Sequence, residues 1–238
     1  MRKIVITGAS SEIGTAIAGA ICGNTDEVIL HAAKNILPCE ALQKELGRNC
    51  RLVQADFTRS EEIDLFCKEL NHTDILINAA AVTITGPLPH LADSQIEQML
   101  TVNCTALAKI CRAAIPSMLG KRKGVIINLS SVTAFRGNRG QTVYAGTKGF
   151  VESFSRALAA EYGAKGIRVN TVAPGPIEAG SLKETLQYAE KEVRSSTSTQ
   201  RLGTVEDVAE AVKFLASDKT SFINGAALRV DGGFLHGV

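Results

Sequence analysis

Residues 4–14 read Ile4-Val5-Ile6-Thr7-Gly8-Ala9-Ser10-Ser11-Glu12-Ile13-Gly14, an apolar run that passes through a glycine into an amphipathic stretch. The run predicts a buried strand, Gly8 allows a sharp turn after it, and Gly14 allows the next helix to pack closely on that strand. The free N–H groups and the positive dipole end at the start of such a helix suit a pyrophosphate. A tight structural turn gives the same two-glycine pattern, so both interpretations stand at this point.

The rest of the chain repeats this alternation of short apolar runs and amphipathic stretches. The runs rich in Val, Ile and Leu predict strands at Lys3–Thr7, Glu27–Ala32, Arg51–Ala55, Asp74–Asn78, Gly124–Ser130, Arg168–Ala173 and Ala227–Val230. The stretches with helical periodicity are Ile13–Cys22, Glu40–Leu46, Glu61–Leu70, Ser94–Ser117, Thr142–Gly163 and Val205–Ala216. This alternation is typical of an α/β fold with a doubly wound, seven-stranded parallel sheet and helices on both faces. With no linker and no repeat in the sequence, we expect one domain over residues 1–238.

The composition excludes several classes of protein. The chain has 238 residues, 45% of them hydrophobic and 21% charged, and a formal net charge of +2. That balance gives no reason to expect nucleic acid binding, and no apolar run is long enough for a membrane span. The six cysteines lack paired spacing and the four histidines are scattered. We therefore expect reduced cysteines, no metal site and a cytoplasmic protein.

The end of the second predicted strand bears on the choice of a dinucleotide. Sites of this kind often place an acid there to bind the adenosine ribose hydroxyls, but this strand is followed by Ala33-Lys34-Asn35. Lys34 suits a 2′-phosphate, which favours NADP(H) over NAD(H), although a solvated loop lysine is the plain alternative. Asp56, which follows the third strand, is placed either to accept a hydrogen bond from an adenine amino group or to cap the helix near Ser60.

A tyrosine and a lysine four residues apart, Tyr144 and Lys148, share one face of a predicted helix. An ammonium beside a phenol favours the phenolate, and a tyrosine so placed can hand a proton to a carbonyl oxygen. Ser131 follows the fifth strand, at the sheet edge where open parallel sheets bind ligands, and its hydroxyl can hold that carbonyl. Asn103 lies inside a helical stretch, where asparagine is mildly unfavourable, so it has either a specific polar role or a buried, satisfied amide. For Tyr144 and Lys148 taken alone, an exposed helical pair is the plain alternative.

Residues 177–200 interrupt the alternation of strands and helices. After Pro174-Gly175-Pro176 they combine a polar helical stretch with Ser195-Ser196-Thr197-Ser198-Thr199, which is a poor core former. A mobile lid over the site and a plain surface loop are both consistent with this composition.

Together these motifs resemble the short-chain dehydrogenase/reductase family, from Lys3 to Val230. The resemblance is carried by residues 7–14, Asp56, Asn78-Ala79-Ala80-Ala81, Val102-Asn103, Ser130-Ser131, Tyr144 to Lys148, Val169-Asn170, Pro174-Gly175 and Val230-Asp231-Gly232-Gly233. It implies a single Rossmann-type domain with Tyr144 as acid/base, Lys148 supporting it and holding the nicotinamide ribose, Ser131 polarising the carbonyl and Asn103 supporting a proton-relay water. It also implies cofactor contacts at Gly8, Ser10, Ser11, Ile13, Gly14, Lys34, Asp56, Phe57, Asn78, Ala79, Ala80, Tyr144, Lys148, Pro174, Gly175 and Ile177.

Within that family the chain is most similar to the 3-oxoacyl-[acyl-carrier-protein] reductases. Gly137-Asn138-Arg139-Gly140-Gln141, Arg201-Leu202-Gly203 and the segment from Ile223 to Gly233 carry this similarity. It implies reduction of a small-molecule carbonyl or an acyl thioester, and a homotetramer formed through two long helices. It also implies docking of an acidic acyl carrier protein near the site entrance, on Arg122 and Lys165. Surface charge is the plain alternative for those two residues.

Four positions depart from the pattern of the family. Glu12 replaces the middle glycine of the phosphate turn, Ala79 and Ala81 replace an asparagine and a glycine, and Ala179 replaces a threonine. These changes bear on cofactor affinity and site shape rather than on proton transfer. We therefore keep two further hypotheses, a dehydrogenase of another alcohol, sugar or steroid, and a cofactor-binding protein without turnover.

Overall fold

Seven strands form one parallel sheet across the described residues of the computed structural model, which are 1–47, 49–180 and 182–235. They are β1 (Lys3–Thr7), β2 (Glu27–Ala32), β3 (Cys50–Gln54), β4 (Ile75–Asn78), β5 (Gly124–Leu129), β6 (Ile167–Pro174) and β7 (Ala227–Val230). Each end falls within one residue of the predicted end. Long runs of Val, Ile and Leu mark these strands clearly because helices cover both faces of the sheet.

The strand order is β3-β2-β1-β4-β5-β6-β7, with every neighbouring pair parallel. The chain builds outward from β1 to β3, then crosses back and continues from β4 on the other side of β1. The register pairs Ile4 with Ile75 and Thr7 with Asn78. This reversal opens a crevice at the carboxyl ends of β1 and β4, where doubly wound sheets bind ligands. The predicted fold class is thereby confirmed.

Helices connect the strands. They are α1 (Glu12–Ile21), α2 (Leu37–Leu46), α3 (Ser60–Cys67), α4 (Asp93–Leu100), α5 (Leu107–Lys121), α6 (Thr142–Tyr162), α7 (Leu182–Ser195) and α8 (Val205–Ala216). None of the helices in the described part of the chain combines the length and the apolar character that crossing a bilayer requires.

Three helices differ from their predicted extents by three residues or more. Helix α3 ends three residues earlier than predicted, where a 3-10 turn, Lys68–Leu70, follows it. Helix α2 begins three residues earlier than predicted, because Pro38 fits a first turn that needs no N–H donor. The helix predicted over Ser94–Ser117 is divided, since a π-helical segment, Thr101–Ala106, joins α4 to α5. That segment contains Asn103. Short π-helical segments are rare and are frequent at functional sites, so the local geometry agrees with a specific role for this residue.

Each central strand supplies two hydrophobic cores. Ile4 and Ile6 of β1 belong to the buried cluster that α1 and α8 cover, and Val5 belongs to the cluster under α3, α5 and α6. All three residues are fully buried. Successive side chains of a strand point to opposite faces, so one strand ties both helical layers to the same sheet.

The segment over residues 177–200 contains a helix. Ile177 forms a parallel bridge with Gly203, and α7 follows it. Beyond α7 the Thr199 N–H donates to the Gly232 carbonyl at 3.1 Å. Hydrogen bonds therefore attach the segment to its neighbours before and after α7, and the predicted polar helical stretch forms α7.

Candidate active site

The turn after β1 packs closely against the loop after β4 and against the start of α1. Gly8 has φ +67°, and a Cβ there would lie 2.7 Å from the N and Cα atoms of Ala80. A Cβ on Gly14 would collide with the Gly8 carbonyl. A side chain larger than hydrogen therefore does not fit at either position. Gly8 lets the turn after β1 contact the loop after β4, and Gly14 lets α1 pack on that turn. This shape, at the start of α1, fits the pyrophosphate of a dinucleotide.

Two hydroxyl groups hold this turn in place. Ser11 is the N-cap of α1, and its Oγ accepts from the Gly14 N–H at 3.0 Å and donates to the Gly8 carbonyl at 2.8 Å. The buried Thr7 Oγ1 accepts from the N–H groups of Ala79 and Ala80, each at 3.2 Å. Ser10 and Ile13 are half-buried in the same turn. The turns after β1 and β4 are thus one hydrogen-bonded unit.

The loop after β3 contains two of the predicted cofactor residues. Asp56 Oδ1 accepts from both the N–H and the hydroxyl of Thr58, at 3.0 and 2.8 Å. These hydrogen bonds, with a smaller contribution from the nearby Lys34, lower the pKa of Asp56. Asp56 does not cap α3, whose N-cap is Arg59 without a side-chain cap bond, and it instead stabilises the turn before that helix. Its predicted contact to an adenine stays a prediction, and Lys34 is exposed beside it. Phe57 is only 2% exposed, so its ring offers no open face to an adenine.

The loop after β6 closes the opposite end of the crevice. The Gly175 N–H donates to the Val230 carbonyl at 2.9 Å, and a Cβ on Gly175 would lie 2.7 Å from Asp231. Ile177 is buried, and Pro174 and Gly175 are half-buried. These three residues form a close-packed wall beyond the carboxyl end of β6, which suits a flat nicotinamide ring.

The predicted tyrosine and lysine lie together on α6. Lys148 is 3% exposed, and its Nζ donates to the Leu129 carbonyl at the end of β5, at 2.8 Å. The same Nζ lies 5.6 Å from the centroid of the Tyr144 ring. The pair is therefore not the exposed helical pair that a tyrosine and a lysine at this spacing usually form. An ammonium has three donors, and one is committed to Leu129.

Ser131 also lies at the end of β5, next to α6. It is the N-cap of a short 3-10 turn, Val132–Ala134, where its Oγ accepts from the Thr133 N–H at 3.2 Å. Its hydroxyl hydrogen is still available as a donor to a substrate carbonyl. Ser131, Tyr144 and Lys148 thus come to the carboxyl edge of the sheet, as the sequence predicts.

Asn103 ties three segments together. Its Oδ1 accepts from the Val82 N–H at 2.8 Å, and its Nδ2 donates to the Val82 carbonyl at 2.9 Å and to Thr147 Oγ1 at 3.0 Å. Thr147 Oγ1 in turn donates to the Tyr144 carbonyl at 2.8 Å. The buried amide therefore fixes the loop after β4 and the first turn of α6. The sequence left two alternatives for Asn103, a specific polar role and a buried, satisfied amide. The structure combines them, because the hydrogen bonds that satisfy the amide also hold these two segments together.

Asn78 lies behind the crevice rather than in it. Its Nδ2 donates to Asn128 Oδ1 at 2.8 Å, and Asn128 Nδ2 donates to Ser155 Oγ at 2.8 Å. All three residues are buried. This row of two amides and a hydroxyl links β4, β5 and α6 beneath the predicted catalytic residues.

Glu12 lies at the first turn of α1 and is directed toward α7. Its carboxylate accepts from the Gly180 N–H at 2.8 Å and forms an ion pair with Lys183. The Lys183 ammonium, followed by the Gly180 N–H, lowers the pKa of Glu12. The side chain thus connects the phosphate turn to the segment after β6.

The two basic residues expected to dock a carrier protein are neighbours in the fold. Arg122 follows α5 just before β5, and Lys165 precedes β6. Gly124 of β5 pairs with Ile167 of β6, so both basic residues lie where these strands begin. Ser131 lies where β5 ends. Within one chain the basic pair is therefore at the opposite edge of the sheet from the predicted catalytic residues, and not near the site entrance as expected.

Sequence reasoning missed three residues of the site. His31 bonds to the phosphate turn, Thr147 bonds to Asn103 and to the Tyr144 carbonyl, and Lys183 pairs with Glu12. A polar residue within the apolar run of β2 was a usable signal for His31, because such a residue needs buried partners. The partners of Thr147 and Lys183 lie 44 and 171 residues away in sequence, and no local pattern identifies them.

The fold and the site define an oxidoreductase of the short-chain dehydrogenase/reductase family, whose members bind a nicotinamide cofactor, and the chain belongs to that family. A family model described as enoyl-(acyl carrier protein) reductase matches residues 8–235. A solved short chain dehydrogenase/reductase family protein is 30% identical, with a TM-score of 0.90 over 98% of this chain and 96% of that one.

Several curated relatives match over nearly their whole length. Nodulation protein G of Rhizobium meliloti (strain 1021) is 37% identical, over 98% of this chain and 96% of the relative. The 3-oxoacyl-[acyl-carrier-protein] reductase FabG of Escherichia coli (strain K12) is 33% identical, over 96% and 95%. A structure from Beutenbergia cavernae, assigned as an NAD(P)-dependent gluconate 5-dehydrogenase and holding NADP at low occupancy, is 31% identical, with a TM-score of 0.91 over 98% and 96%.

Proposed function

We propose that this protein is an NADP(H)-dependent reductase of 3-oxoacyl thioesters. The observation that carries the proposal is the buried Lys148 ammonium, 2.8 Å from the Leu129 carbonyl and 5.6 Å from the Tyr144 ring centroid. Burying an ammonium is unfavourable unless nearby groups use its charge. Relatives named 3-oxoacyl-[acyl-carrier-protein] reductase, such as the one from Haemophilus influenzae at 35% identity, support the substrate class.

The protein residues divide the proton transfer among them. Tyr144 holds a proton on its phenol oxygen and donates it to the substrate carbonyl oxygen. Lys148 stabilises the negative charge left on the phenol oxygen, and Ser131 orients the carbonyl by donating a hydrogen bond. The nicotinamide, when bound, supplies a hydride to the carbonyl carbon. Asn103 keeps the first turn of α6 in register through Thr147, so that the phenol is already placed when the substrate arrives.

Lys34 supports NADP(H) as the cofactor. It is exposed after the end of β2, at the position where an acid would bind the ribose hydroxyls of NAD(H). A lysine there attracts a 2′-phosphate and gives no such acceptor to a free 2′-hydroxyl. Gly8 and Gly14 provide the phosphate turn, and the wall at Pro174, Gly175 and Ile177 takes the nicotinamide.

The thioester substrate is proposed to arrive on an acidic acyl carrier protein that docks on Arg122 and Lys165. The two residues are adjacent, and their positive charges suit an acidic partner. Because they lie at the edge of the sheet away from Tyr144, a carrier docked there serves its own chain only with an extended substrate arm. Measuring the KM for a carrier-bound substrate in an Arg122→Ala variant, with a free thioester as control, tests this docking.

The quaternary state is proposed to be a homotetramer of cytoplasmic, single-domain subunits in which residues 177–200 form the lid. Helices α5 and α6 flank a groove of about 700 Å³, with Ile115, Leu119, Phe150, Phe154 and Leu158 among its lining residues. Phe150 is 38% exposed in the single chain, and covering it removes apolar surface from water. Light scattering on the purified protein measures the subunit number directly.

The experiment that tests the proposed function is NADPH oxidation with a 3-oxoacyl thioester. Turnover with the thioester, and weaker turnover with NADH, is the expected result. The proposal fails if the thioester is inert while another ketone or a sugar acid reacts. Tight cofactor binding without turnover of any carbonyl would favour a binding protein instead.

A sugar acid dehydrogenase is the second candidate function. The observation in its favour is the structural neighbour assigned as a gluconate 5-dehydrogenase, at 31% identity and a TM-score of 0.91. Oxidation of gluconate with NADP as acceptor, assayed beside the thioester reduction, distinguishes the two substrates.

A further inference from the structure

His31 lies near the end of β2, and both nitrogens of its buried ring have partners. Nδ1 accepts from the Gly8 N–H at 3.0 Å, and Nε2 lies 2.8 Å from the Ala55 carbonyl. A carbonyl oxygen only accepts, so the proton must be on Nε2, and Nδ1 is then a pure acceptor. The backbone carbonyl of His31 also accepts from the Ala9 N–H, at 2.9 Å. One residue thus holds two successive N–H groups of the phosphate turn.

The same ring supports the loop after β3. It stacks on Phe57 with a centroid distance of 3.9 Å and an interplanar angle of 3°, and it meets the edge of Phe66 at 5.0 Å. Ala55, which accepts from Nε2, directly precedes Asp56 and Phe57. His31 therefore contacts the turn that fits the pyrophosphate and the loop that would face the adenine.

We propose that His31 is a positioning residue for the cofactor, one that fixes the phosphate turn against the loop after β3 before any cofactor binds. The inference rests on the proposed use of a nicotinamide dinucleotide and adds a residue to its binding site. A fixed spacing matters because the pyrophosphate and the adenine belong to one ligand and must meet both segments together. Preorganised contacts of this kind reduce the ordering cost of binding.

The chemistry of the buried ring agrees with this role. Burial lowers the pKa of His31 to about 4, so the ring is neutral near pH 7 and Nδ1 keeps its lone pair toward Gly8. An apolar residue would pack equally well in β2, and a histidine there costs free energy unless both nitrogens are satisfied. The two hydrogen bonds account for its presence, and both end on segments of the cofactor site.

Three substitutions separate the two contacts. In His31→Asn, the side-chain Oδ1 takes the place of Nδ1 and keeps an acceptor for the Gly8 N–H. In His31→Gln, the longer amide can keep the donor to Ala55 but loses that acceptor. His31→Phe keeps the stacked ring and loses both hydrogen bonds. The readouts are the Kd for NADPH, measured by fluorescence titration, and kcat at saturating NADPH.

We expect all three substitutions to raise the Kd for NADPH, because each breaks at least one of the two contacts that fix the phosphate turn against the loop after β3. The loss of one hydrogen bond should raise the Kd about three- to tenfold in His31→Asn and His31→Gln, and His31→Phe, which loses both bonds, should show the largest increase. The kcat at saturating NADPH should change little. A merely structural residue would lower the melting temperature of all three variants and leave their Kd values near that of the unsubstituted protein. A Kd within about twofold of the unsubstituted value in His31→Phe would overturn the proposal.

Two measurements on the unsubstituted protein test the proposal even if a variant does not fold. Nitrogen-15 NMR of the histidine rings, without cofactor, should show His31 as the neutral tautomer protonated on Nε2. Hydrogen exchange should show the Gly8 amide protected before NADPH is added. A proton on Nδ1, or rapid exchange of the Gly8 amide, would refute the inference. Failure of NADPH to bind the unsubstituted protein would instead refute the proposed function and leave the His31 contacts standing.

Discussion

The two halves of the crevice differ in the residues that line them and in what those residues are proposed to do. In the half formed by β4, β5 and α6, the residues that the resemblance implies for catalysis come together, and Lys148 and Asn103 are buried. In the half formed by β1, β2, β3 and α7, this chain has a histidine at position 31, a lysine at 34 and a glutamate at 12. On the proposed function, the first half supplies the residues of proton transfer and the second half holds the cofactor. Substitutions in the first half should therefore change turnover, and substitutions in the second half should change binding.

The largest effect is expected at Tyr144. The Tyr144→Phe substitution removes the proton donor and should lower kcat about 10²- to 10⁴-fold, the usual contribution of a positioned acid. The Kd for NADPH should change less than about twofold, because the ring stays in place. Steady-state kinetics and a binding titration check the two values.

Tyr162→Phe is the matched control for that substitution. Tyr162 ends the same helix, near Lys165, and far along the chain from Lys148. Its loss should leave kcat within about twofold. If Tyr144→Phe retained most of its activity while Tyr162→Phe did not, the assigned acid would be wrong. The half formed by β4, β5 and α6 would then no longer be the half that determines turnover.

Much of the catalytic half could be predicted because its signals are local. Tyr144 and Lys148 are one helical turn apart, and Ser131 directly follows an apolar strand, so spacing alone places them at one edge of the sheet. The π-helical segment at Asn103 could not be predicted, because its amide is held by Val82 and Thr147 through contacts distant in sequence. The same holds for the Glu12 contact with α7.

The next largest effect is expected in the free energy of unfolding, which should fall at acidic pH because of His31. Burial lowers the pKa of His31 from 6.5 to about 4, with Asp56 nearby acting in the opposite direction. In the unfolded chain the His31 ring is therefore protonated below about pH 6.5, whereas in the folded chain it stays neutral down to about pH 4. The stabilisation is present above pH 6.5 and is lost as the pH falls through this window, by about 3 kcal/mol at most.

Urea unfolding at several pH values measures this loss. The His31→Phe variant has no titrating ring, so its free energy of unfolding should fall less steeply between pH 6.5 and 4. His72, which is exposed, supplies the control His72→Phe. Equal slopes for the unsubstituted protein and His31→Phe would mean that the ring takes up its proton equally readily in the folded and unfolded states, which contradicts a buried, neutral His31 in the cofactor half.

The fold was easier to predict than the site, for a physical reason. A strand buried on both faces requires a continuous apolar run, and that run has sharp ends, as at β1 and β2. Helix α2 was less certain, since its first turn, Leu37-Pro38-Cys39, has no helical periodicity and depends on proline tolerance at the N-terminus.

A moderate effect is expected at Lys34. If it pairs with a 2′-phosphate, Lys34→Ala should weaken NADPH binding about three- to tenfold and leave NADH binding unchanged. Lys44→Ala, on the last turn of α2, is the control for loss of one surface charge. Titrating both cofactors against both variants checks the prediction. An equal loss for NADPH and NADH would make Lys34 an ordinary solvated lysine and would remove the basis for preferring NADP(H).

The smallest effect is expected for the Glu12→Gln substitution. The direction of its effect on cofactor binding distinguishes two orientations of the Glu12 carboxylate. Facing the pyrophosphate, it would repel the cofactor, and Glu12→Gln would tighten binding. In the structure it faces Gly180 and Lys183, and the two charged side chains are 47% and 52% exposed. An exposed ion pair contributes little, so its loss should weaken cofactor binding by no more than about two- to fivefold.

The same substitution should loosen the start of α7. Hydrogen exchange over residues 182–195 should speed up in Glu12→Gln and slow again in the charge-exchanged pair Glu12→Lys with Lys183→Glu, which restores an attraction of opposite polarity. The restored pair loses the hydrogen bond from the Gly180 N–H, so recovery should be partial. Tighter NADPH binding in Glu12→Gln, with unchanged hydrogen exchange in α7, would indicate that the Glu12 carboxylate faces the phosphates. The role of Glu12 in the cofactor half would then be repulsion of the cofactor rather than a contact to α7.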